Sequence, residues 1–304
     1  MQATDTEAIF SGLRPRLTRL AYRMLGSVAD AEDIVQDAWL RWLNHDRRNV
    51  REPAAFLQTI VTRLCVNELK SARRRRETYI GPWLPEPFFD PEDEEDVLED
   101  ITLPLMMALE RLSPLERAAF LLHDVFGVGF EEISGTLGRD AAACRKLASR
   151  ARLHIHQARP RFNATKEEGL ALAAAFYTAS RTGDMQALRG LLTKDVVIYT
   201  DGGGRVAAPT SPSTGIDAAL KLFRGLARYF ARSPSRFVRY AAIDGLPGFV
   251  TIEAGGIAQT SAFLVDKGRI AAVYVTRNPE KLHHLRASDR KVESGFRPVS
   301  MRDE

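Results

Sequence analysis

The sequence predicts a multidomain protein in which two small all-α modules precede a C-terminal α+β domain. Three observations carry that prediction. Apolar residues recur at spacings of three and four through the first half of the 304 residues. The stretch 113–156 has the pattern of a short helix, a glycine turn and a second helix with one basic face. Beyond residue 196, apolar runs of strand length alternate with glycine-rich turns.

The first module is a three-helix unit. Residues 5–25 place Ile9, Leu13, Leu17, Leu20, Ala21 and Met24 on one stripe, and Gly26 ends the helix. A second helix, from about 28 to 44, buries Ile34, Val35, Ala38, Trp39 and Trp42, and its other face shows Asp33, Gln36, Asp37 and Arg41. A long helix from about 54 to 76 has a core stripe of Phe56, Leu57, Ile60, Val61, Leu64, Cys65 and Leu69, and closes on Arg73 to Arg76.

In the second module, Ser113-Pro-Leu-Glu116 reads as a capping box with proline at the first helical position. The helix runs through Ala118, Leu121, Leu122 and Val125 and breaks at Gly127-Val-Gly129. A short helix buries Phe130, Ile133 and Leu137 and stops at Gly138. Asp140 caps a third that buries Cys144, Leu147, Ala148, Ala151 and Ile155. Arg139, Arg145, Lys146, Ser149, Arg150 and Arg152 line the opposite face, which is the helix-turn-helix design for a DNA major groove.

The net charge of +4 is modest, but it is laid out in blocks: basic at Arg73 to Arg76 and in the third helix, acidic from Asp90 to Asp100. No apolar run reaches bilayer length and the N-terminus lacks a signal-peptide pattern, so a cytoplasmic protein with no membrane partner is expected. Cys65 and Cys144 fall on apolar faces and read as reduced core residues. His154 and His156 point to different sides of their helix, and no metal site or phosphate-binding loop is evident, so no cofactor is expected.

The string Tyr22-Arg-Met-Leu-Gly-Ser-Val-Ala-Asp-Ala-Glu-Asp-Ile-Val-Gln-Asp-Ala-Trp39 resembles region 2 of the extracytoplasmic-function (ECF) sigma factors, and the helix-turn-helix resembles their region 4. The resemblance implies that Asp33, Gln36, Asp37 and Arg41 dock on core RNA polymerase. It implies that region 4 reads the −35 promoter element through Arg139, Arg145, Lys146, Ser149, Arg150 and Arg152, and that region 2 opens and reads the −10 element. Opening a promoter needs polar groups beside cations to hold unpaired bases and phosphates, and Arg47, Arg48, Gln58, Arg63, Asn67 and Lys70 supply them.

Residues 81–87, Gly-Pro-Trp-Leu-Pro-Glu-Pro, form an extended proline-stiffened linker. Trp83 and Leu84 are large apolar residues for such a segment, so with Pro85 they are expected to dock. The string resembles the linker signature of a sigma subgroup with an added C-terminal domain. That domain, beginning near Thr165, shows a helix that takes in Leu170, Leu172, Ala173, Phe176 and Tyr177, a short one that starts at Asp184 and uses Leu188, Leu191 and Leu192, and another at 215–230, then strands at 236–243, 248–254, 257–265 and 269–276, after a first strand at 196–199. The order resembles the SnoaL-like branch of the cone-shaped fold of nuclear transport factor two and ketosteroid isomerase. Asp201-Gly202-Gly203-Gly204-Arg205 and Asn278-Pro279-Glu280-Lys281-Leu282 resemble the two signatures of the sigma-linked version, with Arg and Glu where that version has Lys and Asp.

The expected organisation is region 2 at 1–80, a proline-rich then acidic linker at 81–104, region 4 at 105–161, a SnoaL-like regulatory domain at 165–287 and a tail at 288–304. The expected function is promoter-specific transcription initiation without catalysis, with the C-terminal domain acting in cis on the linker. SnoaL-like folds often enclose a pocket, so a small-molecule ligand there stays open, and Asp201 beside Tyr199 is the candidate base for an enzyme. Two rivals remain at this point: a cyclase- or isomerase-like enzyme tethered to DNA, and a ligand-responsive repressor.

Overall fold

A computed structural model describes residues 3–46, 50–89, 102–155, 165–283 and 285. These divide into two compact units, one lying within Met1–Tyr79, Phe88–Phe162 and Ile243–Leu246, the other within Ile80–Pro87, Asn163–Ala242 and Pro247–Glu304. Arg47, Arg48, the acidic run after Asp90, His156 and the expected tail lie outside the described residues.

The first unit is helical. Helix α1 spans Ala3–Leu25, α2 Val28–Asn44 and α3 Pro53–Glu77. The Ser27 side chain caps α2 by accepting from the Asp30 amide at 3.1 Å. Leu17, Leu20, Met24, Val35, Ala38, Trp42, Leu57, Val61 and Cys65 are buried in one core, as the apolar stripes require. Burial pushes the Cys65 thiol up, so it is a neutral core residue.

Helix α4, Leu103–Leu109, was not expected from the sequence, and it starts inside the segment read as linker. Its seven residues are apolar with Pro104 near the start, a composition that gives no helical period over so short a span. Helix α5 covers Pro114–Phe120 and continues as one π-helical turn over Leu121–Val125. Both halves of the capping box are present, with the Ser113 hydroxyl accepting from the Glu116 amide and the Glu116 carboxylate accepting from the Ser113 amide at 3.0 Å. Helix α6 is Phe130–Leu137, Gly138 takes φ 62° behind it, and α7 is Ala141–Ile155. The Ala143 amide donates to Asp140 Oδ1 at 2.7 Å, which caps α7.

The second unit has α8 (Lys166–Thr182), α9 (Met185–Leu191) and α10 (Ile216–Arg232) with a six-stranded sheet. The strands are β1 (Leu192–Asp201), β2 (Ser213–Thr214), β3 (Arg236–Ile243), β4 (Leu246–Glu253), β5 (Ile257–Asp266) and β6 (Arg269–Thr276). Their order is β2-β1-β6-β5-β4-β3. The meander is antiparallel, but β1 runs parallel to β6, a pairing that the local pattern of β1 could not reveal. Phe176, Phe223, Phe249, Phe263 and Val273 fill the core between helices and sheet. The parallel pairing places Asp201, at the end of β1, opposite Thr276, at the end of β6. This brings the Gly-rich turn and the Asn278–Leu282 segment to one edge.

Candidate nucleic-acid interface and linker latch

On α7, Cys144, Leu147, Ala148, Ala151 and Ile155 point inward, and Arg145, Lys146, Ser149, Arg150 and Arg152 are exposed, as is Arg139 before the helix. Three of these arginines lean on neighbours. Arg145 lies over the Phe130 ring at 5.6 Å and 3.5 Å from Glu131. Arg150 Nε is 3.1 Å from Glu116, and Arg152 Nε donates to Asp124 at 2.7 Å. Among the described residues no partner holds Arg139, Lys146 or Ser149.

On α2, Asp33, Gln36, Asp37 and Arg41 are exposed. Leu40 and Leu43 lie exposed on the same helix, at 49 % and 41 %. The sequence reading passed over both leucines; two large apolar residues three apart on a polar face were the available signal.

The −10 candidates on α3 divide. Asn67 and Lys70 are exposed, with Lys70 Nζ 3.5 Å from Asn67 Oδ1, and Gln58 is half-buried. Arg63 is engaged by the helix-turn-helix itself: Nε donates to the Thr136 carbonyl at 2.9 Å and an Nη to that of Gly135 at 2.7 Å. These carbonyls belong to the last turn of α6, where a cation suits the helix dipole. Thr59 and Thr136 share a hydrogen bond at 3.1 Å beside them. The same unit holds Arg117, whose side chain is 2 % exposed. It donates to the Arg23 carbonyl at 3.2 and 3.0 Å and pairs with Glu110 at 2.5 Å. Desolvation pushes the Arg117 pKa down to about 9, which still leaves it charged at neutral pH.

Another residue missed at the sequence level is Asp244, which lies between the strands expected at 236–243 and 248–254. Within the first unit it accepts from Tyr22 Oη at 2.5 Å and exchanges hydrogen bonds with the Phe88 backbone. Its carbonyl accepts from the Leu103 amide at 3.1 Å. Tyr22 stacks on Phe88 with centroids 5.1 Å apart.

In the second unit, the three unexplained motifs meet. Leu84 is fully buried, and its amide donates to Asp201 Oδ2 at 2.9 Å. The Leu84 carbonyl accepts from Lys281 Nζ, and that ammonium also pairs with Asp201 Oδ2 at 2.7 Å. The Trp83 ring covers Lys281 Nζ at 4.2 Å. Pro85 is buried alongside. Asp201 is closed off further: Oδ1 accepts from the Gly203 amide at 3.0 Å, and its carbonyl accepts from the Arg277 and Asn278 amides.

The glycines follow from this geometry. Gly203 has φ 58°, and a Cβ there would lie 2.2 Å from Asn278 Nδ2. A Cβ on Gly202 would lie 2.3 Å from the Val206 carbonyl oxygen. Gly204 packs against Ile80. Asn278 accepts from the Glu280 amide at 3.1 Å and caps a short 3-10 turn over Pro279–Lys281, and Leu282 is buried behind it. Arg205 and Glu280, the two departures from the sigma-linked pattern, are each other's partners at 2.8 Å.

Comparison with known proteins shows the family. The model of Sigma-70 region 2 matches residues 9–75 and that of Sigma-70 region 4 matches residues 102–155. The ECF RNA polymerase sigma factor SigJ of Mycobacterium tuberculosis is 35 % identical over 93 % of this chain and 95 % of its own length. The chain is an ECF RNA polymerase sigma factor. Its likeness to SigI of the same species, a probable ECF sigma factor, is 29 % over 94 % of this chain and 98 % of that one. The crystal structure of SigJ matches this sigma factor with a TM-score of 0.73 at 32 % identity, covering 91 % of this chain and 98 % of that one. Like other ECF sigma factors, the protein binds core RNA polymerase and promoter DNA and directs transcription initiation. No helix among its described residues is long and apolar enough to cross a membrane.

Proposed function

We propose that the C-terminal α+β domain of this sigma factor regulates it in cis by fixing the linker between regions 2 and 4. The observation that carries this reading is the capture of one linker residue, Leu84, by the Asp201–Lys281 pair. A linker held at a defined residue sets how far apart the two promoter-reading regions can stand. The domain acts without turnover, since its best-placed carboxylate is spent on that grip. On this reading region 2, the linker, region 4 and a SnoaL-like C-terminal domain follow in that order, with α4 belonging to region 4 rather than to the linker, and a small ligand in the last domain would act by loosening or tightening the latch.

The docking face on core polymerase is Asp33, Gln36, Asp37 and Arg41, with Leu40 and Leu43 as apolar contacts. Arg139, Arg145, Lys146, Ser149, Arg150 and Arg152 serve the −35 element, and Arg47, Arg48, Gln58, Arg63, Asn67 and Lys70 the −10 element. Arg63 must leave Gly135 and Thr136 before it can reach DNA.

Run-off transcription with core enzyme on promoters of varied −35/−10 spacing tests the latch. The native protein is expected to prefer one spacing, and Lys281→Met or Asp201→Asn to flatten that preference. An unchanged preference in both folded variants overturns the proposal.

A further inference from the structure

Helix α10 carries a feature that neither promoter reading nor the linker latch uses. Its inner face buries Ala219, Leu220 and Phe223, while Lys221, Arg224, Arg228 and Arg232 stand exposed at steps of three, four and four. They share one face of the helix. The only acid on α10, Asp217, sits one turn before Lys221 and is paired with Arg189 at 3.1 Å. Among the described residues no ion pair or hydrogen bond holds any of the four cations. Tyr229 is 46 % exposed among them.

An ordinary solvated helix face mixes both signs. Here three like-charged neighbour pairs, 221/224, 224/228 and 228/232, each work against the helix by about 0.2–0.5 kcal/mol. A single-signed row with no internal partner is the footprint of a polyanion. From Lys221 to Arg232 the row is about 16 Å long at 1.5 Å per residue, enough to cross the major groove, about 12 Å wide, from one phosphate rim to the other. Guanidinium groups match phosphate oxygens in pairs, and a tyrosine hydroxyl can donate to the same groups.

We propose that this face of α10 is a third DNA-contacting surface, which binds the phosphate backbone of duplex DNA without reading its sequence. The protein would then hold promoter DNA through its C-terminal domain as well as through regions 2 and 4.

The test is fluorescence anisotropy of the full chain on a labelled duplex of about 30 base pairs and mixed sequence, from about 50 to 200 mM salt. The variant is Arg224→Gln/Arg228→Gln/Arg232→Gln, with the triple Arg→Lys variant as the charge-keeping partner. Loss of three phosphate contacts should make the slope of log K against log salt shallower by about 2–3, while the lysine variant keeps the native slope. These side chains are exposed, so an unchanged thermal midpoint is expected to accompany the change. A native slope in the glutamine variant overturns the proposal. So does loss of core-polymerase binding with DNA binding intact, which would give the surface to an acidic protein instead.

Discussion

Lys281 Nζ stands 2.7 Å from Asp201 Oδ2, and this pair holds the N–H and the C=O of one residue, Leu84. Both side chains are buried, so neither can exchange its partner for water without the linker moving. Removing one charge leaves the other buried alone, at a cost of about 3–5 kcal/mol. Asp201→Asn should therefore lower stability in urea by this order and expose the Leu84 amide to hydrogen exchange. The double variant Asp201→Asn/Lys281→Met should recover part of the stability, because no lone charge remains, without restoring the protection of Leu84. Full protection of that amide in either variant would remove the latch.

Gly203 and Gly127 separate conformation from crowding. Both take a positive φ, 58° and 68°, so alanine meets the left-handed cost of about 1–2 kcal/mol at either position. A Cβ at 127 meets nothing within 4 Å, whereas one at 203 strikes Asn278, which is 2 % exposed and already bonded. Gly203→Ala should thus destabilise clearly more than Gly127→Ala, and should loosen the Lys281 turn. Equal losses in urea unfolding would show that Asn278 moves aside freely.

The capping box of α5 makes a pH prediction. Burial raises the Glu116 pKa, but the two hydrogen bonds from Ser113, together with Arg150 and His154, outweigh it and hold the group below its ordinary 4.5. A depressed folded value means that the carboxylate's contribution is complete above about pH 4.5 and fades as the pH falls through the lower folded value. Glu116→Gln should flatten that acid limb of stability. Ser113→Ala should cost about 1 kcal/mol at neutral pH.

Recognition and positioning can be told apart on α7. If Arg145 grips a guanine edge, Arg145→Ala should relax preference at one −35 position by about 1–3 kcal/mol. If Arg152, tied to Asp124 at 2.7 Å, holds a phosphate, Arg152→Ala should weaken all promoter variants evenly. Equal losses for both across a set of −35 variants would remove the base-reading role of Arg145.

The elements legible in the sequence were those whose signal is local. Ser113 and Glu116 sit three apart and cap as written, Gly138 ends α6, and the α2 stripe from Ile34 to Trp42 is buried. The burial of Leu84 was foreseeable because a leucine in a proline-rich segment must find cover. What the chain order hid was long-range pairing. Nothing near Val196 announces a parallel partner in β6, and nothing near Arg63 announces the carbonyls of α6. Asp244 looked like any turn residue because its role depends on Tyr22, 222 positions away.

The buried guanidinium of Arg117 reaches the Arg23 carbonyl, 94 positions away, and carries the last prediction. Its side chain is 2 % exposed, whereas that of Glu110 keeps 16 % and can rehydrate. The two ends of this pair are therefore unequal. Glu110→Gln strands a cation in the core, held among the described residues by the Arg23 carbonyl, and should cost about 3–5 kcal/mol. Arg117→Met replaces the cation with an apolar chain of similar length, while Glu110 turns to water, so its cost should be clearly smaller. Urea unfolding of the full chain measures both. If Arg117→Met is the more damaging, the Arg23 carbonyl bonds, rather than the charge pair, hold this contact together.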